Sequence, residues 1–171
     1  MYLPQWVAGT LAILSGSNKV ATWPTAEPVY FISKDGSDRR YLTVASEEGA
    51  IPTLNKFKGE TPPDDGVWVL ETVFMLPVHW VRHADSELCL TAEYDEDKVL
   101  TEGVFLGKCG RLDEEGNGDA WMAQTEKGVT HLFLADHFNY RLAHNGDAVG
   151  VVPEGTEGWS FDWDMPDFPT D

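Results

Sequence analysis

The sequence predicts an all-β domain in which one four-strand unit is repeated three times. Short β-branched and aromatic runs are broken at close intervals by Gly, Pro, Asp and Asn, and no long segment sets apolar residues at helical spacing. A Trp that follows a Gly- or Asp-rich turn recurs at positions 68, 121 and 159, and a Leu-centred strand recurs at 42, 90 and 142. From Trp68 to Leu90 is 22 residues and from Trp121 to Leu142 is 21, whereas the Leu-to-Trp steps within a unit are 26, 31 and 17. A near-constant step marks a fixed connection, and a variable one marks loops of unequal length.

Each element follows from local chemistry. Residues 1–27 precede the first unit, and their run of small and apolar residues predicts an extra hairpin packed on the barrel as an N-terminal extension. The repeated domain then covers 28–171, with units at about 28–71, 72–126 and 127–164. In the first unit, strands are predicted at 28–33 and 40–45, with a turn at 35–38 and a Trp-led strand from 67. The second has strands at 88–92 and 103–107 and a Trp strand near 121. The third has strands at 130–135, around Leu142 and at Trp159. Three such units close a barrel and cap it with hairpins, which removes exposed strand edges. Trp68, Trp121 and Trp159 are accordingly expected in the core, and Trp6, Trp23, Trp80 and Trp163 are the expected exposed anchors.

Length and composition bound the function. The chain of 171 residues, 42% of them hydrophobic, is enough for one domain with a real core. Against 12 basic residues stand 29 acidic ones, for a net charge of −17. That balance opposes binding to nucleic acid or to anionic membranes. The longest apolar run, 7–14, falls far short of the roughly 20 residues that span a bilayer, so no membrane insertion is expected. That run also lacks the basic flank of a secretory signal. The expected location is therefore cytoplasmic, or secreted without a visible signal peptide.

The middle unit carries the most specific pattern: Cys89-Leu90-Thr91, then Val104-Phe105-Leu106-Gly107-Lys108-Cys109, then Gly118-Asp119-Ala120-Trp121. This resembles the repeat of the ricin B-type lectins, which runs Cys-Leu-Asp, Val-x-Leu-aromatic-x-Cys and Gln-x-Trp. The resemblance implies a β-trefoil with pseudo-threefold symmetry, a Cys89–Cys109 disulfide and lectin-like carbohydrate binding. It also implies ligand-binding positions at Thr43, Thr91 and Asp119, with Phe57 as a stacking aromatic. The match is divergent. The family's sugar-binding Asp is replaced by Thr43, Thr91 and Ala143, and its Gln by Gly66, Asp119 and Glu157. The stacking aromatic of the second unit is lost at Gly107. A hydroxyl accepts a hydrogen bond, and a methyl group accepts none. The same three-unit plan is shared by fungal β-trefoil protease inhibitors, which act through exposed loops. Here the corresponding loops are 46–66, 93–103 and 110–120. The implied partner is therefore a glycan or a target protein such as a protease.

No catalytic constellation rises above background, and the expected protein is a non-catalytic binding module. His79 and His83 are four apart but lie outside any helical pattern, so neither a metal pair nor an HExxH site is expected, and the five histidines are read as surface or partly buried. The acidic stretches at 93–97 and 113–119 miss the EF-hand spacing. No nucleophile elbow or phosphate-cradling loop is present, and no cofactor is expected.

Overall fold

In the computed structural model, residues 28–33, 39–57, 63–73, 78–110 and 118–165 are described. The predicted extension 1–27, with Trp6 and Trp23, the turn at 35–38 and the end of the chain from 166 lie outside them. The first unit comprises β1 (Pro28–Val29), β2 (Ile32–Ser33), β3 (Arg40–Thr43), β4 (Thr53–Lys56), a 3-10 turn (Asp64–Gly66) and β5 (Trp68–Thr72). The second comprises β6 (Val78–His83), β7 (Cys89–Tyr94), β8 (Leu100–Gly107) and β9 (Ala120–Glu126). The third comprises β10 (Val129–Leu134), β11 (His137–Asn145), β12 (Ala148–Pro153) and β13 (Trp163–Asp164).

The pairings close a ring. β1 pairs with β5, β5 with β6, β6 with β9, β9 with β10, β10 with β13, and β13 returns to β2. Because β1 and β2 are consecutive halves of one opening strand, the first and last strands of all three units form a barrel without a free edge. The middle strands form three hairpins, β3–β4, β7–β8 and β11–β12, which are the cap. The fold is a β-trefoil.

Register aligns the units residue by residue. Ile32 pairs with Tyr41, Arg82 with Cys89 and Phe133 with Arg141, so Phe31, Val81 and Leu132 are equivalent. Within the hairpins Leu42 pairs with Leu54, Leu90 with Leu106 and Leu142 with Val151. These nine residues are at most 1% exposed and fill the barrel in threefold layers.

The indoles correct one expectation. Trp68 donates its N–H to the carbonyl of Leu42 at 3.0 Å and Trp121 to that of Leu90 at 2.8 Å. The third member is Trp163, which donates to Leu142 at 3.1 Å; Trp159 is not equivalent, and Trp163 is no exposed anchor. The backbone agrees. Val44, Ala92 and His144 donate to the carbonyls of Asp65, Gly118 and Ser160, each three residues before its Trp. Trp159 still belongs to the preceding turn, its N–H reaching back to the carbonyl of Thr156 at 3.3 Å. Its ring lies against Gly150, close enough that a built Cβ there would meet it at 3.1 Å. The third Leu-to-Trp step is therefore 21 residues.

The histidines differ from expectation as well. His79, His83 and His144 are buried. On β6, His79, Val81 and His83 alternate inward, and His83 packs edge-on against Trp68 with ring centroids 5.4 Å apart. His83 stands opposite Trp68 where Leu134 stands opposite Trp121. Burial pushes the pKa values of His79 and His83 below the ordinary 6.5, because a charged imidazole loses its hydration there. The unfolded chain then takes up protons first, so this stability is full above pH 6.5 and drains as pH falls below it. Burial holds the Asp119 carboxyl above its ordinary range, and acidification relieves that cost, so Asp119 opposes the trend. With two histidines against one carboxyl, the thermal midpoint is expected to fall on acidification from about pH 7 to about pH 5. H83L, which copies Leu134, should flatten that slope. An unchanged slope in H83L would remove His83 as its source.

Candidate functional site

Strand alternation divides each cap hairpin into an inner and an outer face. On β3–β4 the inner face carries Leu42 and Leu54. The outer face carries Tyr41 and Thr43 opposite Asn55 and Thr53. Phe57 continues that face one residue beyond β4. Its ring meets Tyr41 edge-on at 6.3 Å, and Tyr41 meets Tyr30 at 6.5 Å. Phe57 is 40% exposed, whereas Tyr41 behind it is buried. The Asn55 side-chain amide donates to Thr43 Oγ1 at 2.6 Å and to Thr53 Oγ1 at 3.1 Å. Both of its N–H bonds are thereby spent along the hairpin, which leaves the carbonyl Oδ1 on an exposed residue as the acceptor. Thr43 and Phe57, far apart in sequence reasoning, are thus brought onto one face, and Asn55 is the member that reasoning missed. Its signal was available: Asn in a Thr-Leu-Asn-Lys run is unusual for a strand and calls for a side-chain partner.

The equivalent faces are built differently. In the second unit Cys89 and Thr91 stand opposite Gly107 and Phe105. Cys89 is bonded to Cys109, with Cα atoms 5.0 Å apart, so the disulfide occupies this face. Thr91 is 8% exposed and donates its hydroxyl to the carbonyl of Cys89 at 3.0 Å. Gly107 leaves the space that hydroxyl needs, since a Cβ would meet Thr91 Oγ1 at 3.0 Å. Asp119 is 1% exposed, and its Oδ2 accepts the backbone N–H of Gly110. Thr91 and Asp119 therefore lie inside the protein, engaged with its own backbone. In the third unit Arg141 and Ala143 stand opposite Val152 and Gly150, and Trp159 covers Gly150. Arg141 stacks over Phe133 at 4.4 Å and binds Glu154 at 2.6 Å, which ties it to the surface of its own unit.

The register also moves the family's Gln position in the third unit from Glu157 to Phe161, two residues before Trp163. Of the loops expected to be exposed, 93–103 is mostly the β7–β8 hairpin, turning at 95–99. Among the described residues no group of three or more His, Cys, Asp or Glu side chains is placed to hold a metal ion. No helix among them is long and apolar enough to cross a membrane.

No family model matches the chain, and no curated protein does. Solved structures do, at low identity. The Polyporus squamosus lectin aligns at TM-score 0.63 and 14% identity over 84% of this chain, which spans 50% of that lectin's length. The designed threefold-symmetric protein ThreeFoil aligns at 0.59 and 14% identity, covering 81% of this chain and 96% of that one. The protein SeviL, solved with a bound saccharide, aligns at 0.55 and 15% identity, covering 82% and 97%. These likenesses establish the β-trefoil as the fold and nothing finer.

Proposed function

We propose that this chain is a non-catalytic, lectin-like carbohydrate-binding module whose sugar rests on the outer face of the first-unit hairpin. The observation that carries the reading is the assembly of one exposed ring, Phe57, with the Asn55 carbonyl and the Thr53 hydroxyl on a single rigid face. A pyranose offers an apolar face that stacks on an aromatic ring, and a rim of hydroxyls that need placed acceptors and donors. The support at fold level is that two similar structures were solved with glycans: the Polyporus lectin with Neu5Acα2-6Galβ1-4GlcNAc, and SeviL with the asialo-GM1 saccharide. Tyr41, buried and packed edge-on against Phe57, fixes the platform before a ligand arrives, which lowers the ordering cost of binding.

Roles divide by position. Phe57 supplies stacking, Asn55 Oδ1 accepts sugar hydroxyls, and Thr43 and Thr53 orient the amide. Titration against a panel of mono- and oligosaccharides, followed by calorimetry, tests this. Phe57→Ala is expected to weaken binding about tenfold, a loss of roughly 1.4 kcal/mol for one stacked ring. Asn55→Ala is expected to do the same while changing the unfolding free energy by no more than about 1 kcal/mol. Binding unaffected by both substitutions would place the sugar elsewhere.

A further inference from the structure

The boundaries between consecutive units are built alike, but their polar groups are not used alike. Ala84 donates its N–H to the carbonyl of Val67 at 3.0 Å, and Ala135 donates to that of Ala120 at 2.8 Å. Asp85 and Asp136, the next residues, are therefore equivalent. So are Ser46 and Tyr94, each two residues past the equivalent donors Val44 and Ala92. At the first boundary the Ser46 hydroxyl donates to the Asp85 carboxylate at 2.6 Å. At the second the Tyr94 hydroxyl is buried without a hydrogen-bond partner. Among the described residues no hydrogen bond or ion pair reaches the Asp136 carboxylate. Rings gather beside it: Tyr94 lies 6.0 Å from His137, and His137 5.9 Å from Tyr140. All three are half-buried, and Phe138 between them in the chain is 65% exposed. Asp119 belongs to the same neighbourhood. It is 1% exposed, its Oδ2 accepts from Gly110, and its Oδ1 has no partner. The preceding residue meets Tyr94 directly, since a Cβ built on Gly118 would lie 3.0 Å from Tyr94 Cε2. Burial, and after it the Asp136 charge, raises the proton affinity of both the Tyr94 hydroxyl and the Asp119 carboxyl.

We infer that the boundary between the second and third units binds a protonated primary amine, with Asp136 as its counter-ion and Tyr94, His137 and Tyr140 as its aromatic wall. Ring faces attract a cation, and a carboxylate accepts its N–H bonds, so the two together suit an ammonium group. Asp119 strengthens the case, because a cation at Asp136 relieves the repulsion between the two carboxyl groups. The Ser46–Asp85 bond uses up the same position at the first boundary, so the site is particular to the second. It shares no residue with the Phe57 face and does not depend on the glycan reading. A net charge of −17 draws cations to the whole surface, so the site is defined by preference over a neutral analogue and by dependence on Asp136. Two sources of the amine share this chemistry, a lysine side chain and an amino sugar.

The test is an NMR titration of the full chain at about pH 7, where a primary alkylamine is protonated. It follows the ring signals of Tyr94 and His137 and the carboxyl carbons of Asp119 and Asp136. The probes are Nα-acetyl-lysinamide and glucosamine, each beside a neutral analogue, Nα-acetyl-norleucinamide and glucose. At least one amine is expected to bind about tenfold more tightly than its analogue, with the gap narrowing as salt is raised. The stronger of the two amines identifies the source. D136N should erase the advantage, and Y94L should weaken the amine about threefold. F57A should leave these shifts unchanged, which separates the site from the glycan face. Circular dichroism confirms that each variant is folded. An amine that binds no better than its neutral analogue overturns the cation reading. An advantage that survives D136N, or shifts confined to other residues, overturns the assignment to this boundary. If neither amine moves these signals at its highest soluble concentration, the inference falls while the Phe57 face remains to be judged on its own titration.

Discussion

Trp163→Ala is expected to unfold much of the population, whereas Trp159→Ala, four residues away, leaves the chain folded. Trp163 is fully buried, with its ring 6.0 Å from that of Phe31 and 5.0 Å from that of His144. Truncating a buried indole of this kind costs about 3–5 kcal/mol in lost transfer energy and cavity. The substitution also strands the Leu142 carbonyl that now receives the indole N–H, which adds about 1–3 kcal/mol. The total stability of a domain this size is about 5–15 kcal/mol, so a large part of it is at stake. β13 is only two residues long and closes the barrel between β10 and β2, so little else holds the ends of the ring together there. Trp159 is half-buried over Gly150 and makes no such bond to a Leu-strand carbonyl, so its removal is expected to cost only about 1–2 kcal/mol. Urea unfolding followed by far-UV circular dichroism ranks the two variants. The reverse ranking would return the third threefold position to residue 159.

That pair of tryptophans also shows how far the sequence could be read. The fold class was legible because Leu42, Leu90, Leu142, Trp68 and Trp121 keep their roles at nearly fixed distance from the turns. Trp159 and Trp163 both lie close to turn-forming residues, and local composition does not distinguish them; long-range contacts do, through the His144 N–H to the Ser160 carbonyl and the Trp163 indole N–H to the Leu142 carbonyl. β6 was hidden for a different reason. Its inward face alternates as a strand should, but two of the three inward residues are His79 and His83, whose polarity masks the period. The candidate site was half legible. Thr43 and Phe57 were visible through family resemblance, whereas Asn55 stood out in the sequence only as an unusual strand residue, and its place beside Thr43 came from the cross-strand register and its side-chain bond. Resemblance also drew attention to Thr91 and Asp119, whose polar atoms the folded chain turns onto its own backbone.

The second large effect is expected from the Cys89–Cys109 bond. The bond closes a loop with a sequence separation of 20 residues, and removing a cross-link of that length frees about 3 kcal/mol of unfolded-chain entropy. Reduction with a phosphine should therefore lower the unfolding free energy by about that amount, and Cys109→Ser should match it without a reductant. Local geometry adds a second readout. β8 ends at Gly107, so residues 108–110 leave the ladder, and the disulfide ties this stretch back to the first residue of β7. The next residue, Gly110, then donates its N–H to the buried Asp119 carboxylate. That bond lowers the Asp119 pKa against the larger upward push of burial. Once the tether is cut, the donor is free to leave, and the Asp119 pKa is expected to rise further from its ordinary value. Carboxyl-carbon NMR titration of the oxidised and reduced protein measures this separately from stability. If the unfolding free energy falls while Asp119 titrates unchanged, other contacts hold Gly110 in place and the disulfide acts on the unfolded chain alone. If neither moves, the bond contributes nothing that the hairpin does not already supply.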